Sequence, residues 1–346
     1  MNLKKAAFVL LAAASVSGGA LGQTQISATL ATPALDRWMY PFNFSAGAEA
    51  TAPVFAALDQ PDFDDRDSQF IVGWSTQGDI ETGLPLQSYV VSSAVIRVVI
   101  SSGDRWQYDP TVDPTASYLP TSDAAFIPDT DAGRPVELFA VGYRNGFSAA
   151  TFGETSPFTL GSPFPPREAA RNAFAATVSV DGSTSDVSNQ VRDRADALPF
   201  ATGLAALTPG QVAPADTELS FSIDVSSLAT RAYLARGLAT GNLRFAITSL
   251  SPASGGPGGG TGDATYPAFY TKENALSPVL GFSPSLALVV TLRPPADADL
   301  DGDVDSDDII VFFAAWDSGE ELADFDLDGD TDSDDIVGFF TAWDNG

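Results

Sequence analysis

The carboxyl-terminal end of the chain contains one acidic segment twice, and this repeat restricts the possible fold more than any other feature. Asp297, Asp299, Asp301, Gly302, Asp303, Asp305, Asp307 and Asp308 recur 27 residues on as Asp324, Asp326, Asp328, Gly329, Asp330, Asp332, Asp334 and Asp335. Each copy runs into an apolar stretch, Ile309 to Trp316 and Ile336 to Trp343. A block of like charge is normally solvated and disordered. Here Phe312, Phe313 and Trp316 return as Phe339, Phe340 and Trp343, and aromatics of that size call for burial.

Carboxylates at positions 1, 3 and 5, a glycine at 6 and a carboxylate at 12 match the needs of calcium, which takes six to eight oxygens from one short loop. Asp297, Asp299 and Asp301 point inward as the first loop curls, and Gly302 allows the sharp turn. The carbonyl of Asp303 supplies position 7, and Asp308 closes the site. Asp324, Asp326, Asp328, Asp330 and Asp335 repeat the set, so two calcium ions are expected. Position 12 is Asp, one methylene shorter than the Glu of an ordinary EF-hand. No entering helix precedes the first loop, because Arg293, Pro294 and Pro295 lead straight into it.

With these features the tail resembles a type I dockerin. The resemblance implies a helix after each loop and a cohesin-like protein domain as partner. It places recognition at loop positions 10 and 11, which here are Ser306 and Asp307, then Ser333 and Asp334. Their identity between copies implies one docking face presented in two related orientations. Two departures stand out: Asp fills positions where such loops often carry Asn, and the helices lack the basic residues many members have.

Residues 296 to 346 hold eighteen acidic residues and no basic one. Self-repulsion should therefore oppose folding without metal. The apolar runs are shorter than the ~12 to 15 residues a lone helix needs in water. Metal binding is thus expected to couple to folding. A Kd of ~10 μM at ~10 mM calcium would contribute about 4 kcal/mol.

Lys4 and Lys5, the apolar run from Ala6 to Val16 and small residues ending at Gly22 read as a secretory leader, residues 1–22. An exported, extracellular or cell-surface protein is expected. The run is too short for a membrane span, and no other stretch matches it. Cysteine and histidine are both absent, which excludes a disulfide frame, a Ser-His-Asp triad and the usual zinc sites. A net charge of −28 excludes nucleic acid as a partner.

The body, residues 23–293, precedes the calcium-binding tail of residues 294–346. Strands are predicted at 25–30, 69–74, 88–100, 136–143, 175–180, 218–225, 242–250 and 285–292, rich in Val, Ile, Phe and Thr. One helix is predicted over 227–238, capped by Ser226 or Ser227. The expected fold class is mainly β: a large β-sandwich or jelly roll with long loop insertions, followed by the small helical module. The stretch from Asp104 to Asp216 reads as insertions on one end. The glycine-rich run 251–262 reads as a mobile loop between two strands of one sheet. The order of Ser93–Ile100, Phe221–Val225, the helix, Leu243–Ile247, Ala268–Asn274 and a closing strand resembles disaggregatase-related (DNRLRE) carbohydrate-binding sandwiches, although the motif that names them is absent. That resemblance implies polysaccharide as a ligand.

Two classes of function follow for the body. As a binding module it would stack sugar rings on exposed aromatics, with Trp38, Tyr40, Trp106 and Tyr108 as the best candidates among a set that includes Trp74 and Tyr143. As a polysaccharide hydrolase or lyase it would need two facing carboxylates. The densest cluster, Asp62 to Asp67, reads first as a solvated turn and second as a calcium site. No catalytic residue is assigned, and non-catalytic binding is the leading expectation.

Overall fold

The computed structural model describes residues 23–58, 60–161, 169–253 and 264–344. The leader expected at 1–22 and residues 254–263 of the glycine-rich run lie outside the described residues. The first strands are β1 (Thr24–Leu30), β2 (Leu35–Met39), β3 (Thr51–Pro53), β4 (Gln69–Ser75), β5 (Tyr89–Val99) and β6 (Val136–Tyr143). They are followed by β7 (Ala173–Val178), β8 (Thr184–Asp186), β9 (Ala201–Thr202) and β10 (Glu218–Ser222). Helix α1 (Leu228–Thr240) leads to β11 (Asn242–Ser249) and β12 (Ala268–Tyr270), then α2 (Ser277–Leu280) and β13 (Ser285–Leu292). The chain closes with α3 (Ser306–Ser318) and α4 (Ser333–Trp343), so the fold is mainly β and multi-sheet with helices at its C-terminal end.

Alternation of side chains explains the first sheet. Its order is β1-β13-β5-β10, antiparallel throughout. Along β13, Leu286, Leu288 and Val290 are buried while their neighbours are half-buried, the mark of a sheet with one solvated face. The second sheet is built differently. Its path is β2-β4-β11-β6-β7-β8, with β9 pairing β6. Six consecutive residues of β4, Gln69 to Trp74, are buried, so both faces are covered.

One face of this larger sheet gives Phe70, Val72, Leu138, Phe245 and Ile247 to a core shared with Ile96, Val98, Phe221, Leu286 and Leu288 of the first sheet. Its other face, with Ile71, Phe139, Val141 and Ala246, is covered by Phe152 and Phe158. Those two aromatics belong to the stretch read as end insertions. The stretch also supplies β6 to β9, so it forms and covers a sheet instead of decorating one end. The glycine-rich run also departs from expectation: it joins β11 to β12, which pairs with β3 in a separate two-stranded sheet.

Helix α1 begins one residue later and ends two residues further on than predicted. Ser227 stands at its N-cap but makes no side-chain cap bond. Leu234, Ala235 and Leu238 enter the shared core, and Gly241 ends the helix at φ 72°, the left-handed region that suits glycine. No helix among the described residues is long and apolar enough to cross a membrane.

The tail rests on the body through polar groups. Arg293 Nη1 donates to the Asp297 carbonyl at 2.6 Å, and Arg236 of α1 donates to the Leu327 carbonyl at 2.7 Å. Its own core pairs equivalent residues of the two copies. Phe312 stacks on Phe339 with ring centroids 4.2 Å apart, and Phe325 closes edge-on against both. Helices α3 and α4 each begin three residues before the apolar run, because Asp305 and Asp332 cap them.

Candidate metal centre

Each acidic loop folds around its last carboxylate. In the first, Asp308 Oδ1 accepts the amides of Ala298 and Asp299 at 2.7 and 3.1 Å, and Oδ2 accepts the Asp305 amide at 2.7 Å. In the second, Asp335 accepts from Phe325, Asp326 and Asp332 at 2.5, 3.1 and 2.8 Å. A carboxylate offers about four lone-pair sites, so each keeps acceptor capacity after three amides. Both residues are also the reciprocal member of a capping box with Asp305 or Asp332. The same side chain therefore starts the helix and closes the loop.

The curl between them is also repeated. Asp299 and Asp326 accept the amides of Asp301 and Asp328, which in turn accept those of Asp303 and Asp330, all four at 3.1 Å. Leu300 and Leu327 both take positive φ, 67° and 57°, ahead of Gly302 and Gly329 at 102° and 103°. These are bends that side chains resist and glycine permits.

The curl brings the sequence-predicted carboxylates together. One oxygen each of Asp297, Asp299 and Asp308 lies within 4.8 Å of the others, as does the trio Asp324, Asp326 and Asp335. Asp303 groups with Asp308 and with Asp305, a residue not expected at the site. Asp301, Asp328 and Asp330 are exposed on the loop surface. Asp305 and Asp332 hold position 9 of their loops, where calcium loops often bind through water, and that spacing was the signal for them.

The loops differ at their first position. Asp324 places Oδ1 on the Asp328 amide at 3.0 Å and Oδ2 on the Gly329 amide at 3.1 Å. Asp297 is fully buried; Gln23 reaches its Oδ2 at 3.3 Å, while its Oδ1 has no hydrogen-bond partner. A buried carboxylate with one oxygen lacking a donor, in a group with two more carboxylates, is suited to a cation. Crowding appears in the proton affinities as well. Burial pushes Asp324 up to about 6 and also raises Asp299 and Asp326. Asp303 and Asp330 are raised first by the charges of Asp301 and Asp328. The residues expected to meet a partner, Ser306, Asp307, Ser333 and Asp334, all stand exposed at the helix starts.

In the body, half of the aromatic expectation is corrected. Trp106 and Tyr108 are 2% and 3% exposed and belong to the shared core, with the indole N–H donating to the Arg134 carbonyl at 2.8 Å. Trp74 is likewise buried. These rings fill the space between sheets and offer no platform. Trp38 and Tyr40 are half-buried and stack at 4.9 Å, with Phe42 5.4 Å beyond Tyr40. Alternation along the strand places this pair on one face, as read from the sequence.

The Asp62–Asp67 segment is not a solvated turn. Asp64, Asp65, Arg66 and Asp67 are buried, and Asp64 takes Arg171 Nε at 2.8 Å. Arg66 pairs with Glu137 at 2.7 Å. A third acidic group, Asp36, Glu154 and Glu273, converges on the Lys272 ammonium. These carboxylates are paired with fixed cations of the body.

No protein-family model matches the chain, and no curated protein matches it. Among solved structures it is similar to the VP1 pentamer of human polyomavirus 6, at 11% identity and a TM-score of 0.23, over 81% of this chain and 97% of that one. An overlap at that score is too loose to define a shared fold.

Proposed function

We propose that the tail is a dockerin-like module that binds two calcium ions and docks an exported protein onto a cohesin-type partner. The observation that carries this reading is buried Asp297, one oxygen of which has no donor, grouped with Asp299 and Asp308 in a loop repeated 27 residues later. Asp297, Asp299, Asp301, Asp303 and Asp308 hold the first ion, and Asp324, Asp326, Asp328, Asp330 and Asp335 the second. The ion neutralises carboxylates that the tail cannot neutralise itself. Ser306, Asp307, Ser333 and Asp334 form the docking surface.

The body is read as a β-sandwich that carries a binding face. Trp38 and Tyr40 are the residues for stacking a polysaccharide ring, with a protein ligand as the other candidate for that face.

The test uses the full chain after removal of the leader. Equilibrium dialysis at buffered free calcium should find two more ions on the wild type than on an Asp308→Asn/Asp335→Asn variant. Capture by immobilised cohesin domains should be lost with chelator. Equal ion counts would remove the assignment.

A further inference from the structure

Another group of carboxylates, two of them buried, lies in the body, far in sequence from the acidic repeats, in the Pro- and Asp-rich stretch after β5. Asp109, Asp113 and Asp131 each bring one oxygen within 4.8 Å of the others. Asp109 is 1% exposed and Asp113 7%, whereas Asp131 is open to solvent.

The donors around this group fall short of its acceptors. Asp109 Oδ1 accepts the Thr111 amide at 2.8 Å and lies 2.7 Å from the Thr111 hydroxyl. The same hydroxyl lies 3.0 Å from Asp131 Oδ2. One hydroxyl carries one proton, so it can satisfy only one of these carboxylates. Asp109 Oδ2 is buried with no hydrogen-bond partner. Arg134 and Tyr118 serve Asp113 alone of the three: Arg134 Nη1 donates to Asp113 at 2.7 Å and to Asp129 at 2.5 Å, and the Tyr118 hydroxyl donates to Asp113 at 2.8 Å, so this cation pairs with neither Asp109 nor Asp131. Burial and the charges of Asp113 and Asp131 raise the proton affinity of Asp109.

The backbone holds the carboxylates together despite their repulsion. Gly133 has φ 111°, and a Cβ there would sit 2.7 Å from the Gln107 carbonyl and 3.0 Å from Asp109 Cβ. Glycine thus allows the 129–134 loop to press against Asp109. Trp106 fixes the same loop through the Arg134 carbonyl.

We propose that Asp109, Asp113 and Asp131, with the Thr111 hydroxyl, form a separate calcium site in the body. The donors are all oxygen, which selects a hard cation over zinc or copper. Calcium, at 2.3–2.6 Å from its ligands, accepts oxygens up to about 5 Å apart; magnesium demands a tighter octahedron at about 2.1 Å. A bound ion would meet the orphaned Asp109 oxygen and leave the Thr111 proton free to choose one acceptor. It would also pin the 107–113 and 129–134 loops to each other.

The experiment compares full-length wild type with Asp131→Asn and with Asp109→Asn/Asp131→Asn. Each is dialysed at physiological salt against buffered calcium with excess magnesium, and metal per chain is counted by mass spectrometry. The double variant should hold one ion fewer than wild type. Because Asp131 is exposed, its single substitution spares the fold and should weaken that ion about tenfold or more. A near-ultraviolet dichroism change on adding calcium, reporting Trp106, should be present in wild type and absent in the double variant. Equal counts, as a proton shared between Asp109 and Asp131 would give, overturn the proposal. The difference of one is independent of the tail: if the repeats bind nothing, wild type keeps one ion and the double variant none.

Discussion

The body and the tail bury carboxylates in opposite ways. In the body Asp64 meets Arg171, Glu137 meets Arg66, Asp113 meets Arg134 and Asp36 meets Lys272. In the tail Asp297, Asp308, Asp324 and Asp335 are 5% exposed or less, and residues 296 to 346 contain no basic side chain. Amide donors alone organise them. The body gives these buried carboxylates cations of its own, whereas the tail has none to give, a deficit that an outside ion can fill. Asp109, with a buried oxygen that has no donor and no cation beside it, is a place where the body behaves like the tail.

The largest effect should come from opening a closed pair. Arg171→Met leaves Asp64 buried without its cation, and breaking such a pair costs about 3–5 kcal/mol. Urea denaturation of the full chain should show that loss. A cost below about 1 kcal/mol would mean that the body tolerates uncompensated acid as well as the tail does, and the contrast would fail.

Asp67 sharpens the comparison through pH. It is buried beside Arg171, its Oδ2 has no donor, and burial pushes it up to about 7 despite the guanidinium. The folded state therefore holds a proton that the unfolded chain, at the ordinary Asp value, releases. The associated stability is present below about pH 4 and is lost as pH rises through 7. Relative to Asp67→Asn, wild type should lose up to about 1.4 kcal/mol per pH unit across that window. Urea midpoints at pH 5, 6 and 7 measure the slope, and parallel curves for the two proteins would refute it.

What the sequence revealed follows from how local each signal is. Strand β6 and β13 were legible to the residue because β-branched runs end at clear turn residues. The loop carboxylates Asp297, Asp299, Asp308 and their copies were legible because calcium-type spacing lies within one short segment. Trp106 and Tyr108 misled because alternation says that two rings share a face but not which face is covered. The Asp62–Asp67 network was hidden for a related reason: its partners, Arg171 and Glu137, are brought in by distant strands. Asp109 and Asp131 are likewise joined by a close approach at Gly133, which no spacing rule records.

Within the tail, the helix caps test whether the copies are equivalent. Asp305→Ala and Asp332→Ala each remove an N-cap, a change that costs about 1 kcal/mol. At saturating calcium the two should lower the tail's thermal midpoint equally, followed by far-ultraviolet dichroism. A large asymmetry would trace to the first loop position, where Asp297 and Asp324 differ in their donors.

The smallest effect on stability should accompany the largest on docking. Ile310 and Val337 are 67% and 64% exposed, occupy equivalent places in the two copies, and lie one turn after Ser306 and Ser333 on the same helix side. The tail core, centred on Phe312 and Phe339, does not count them among its members. Replacing either with Ser should change stability by no more than about 0.5 kcal/mol. If each copy can present the docking face alone, Ile310→Ser or Val337→Ser should leave cohesin capture nearly intact. The double variant should abolish it at unchanged calcium content. Full capture by the double variant would detach these side chains from the docking surface, while loss on one single substitution would show that only one orientation is used.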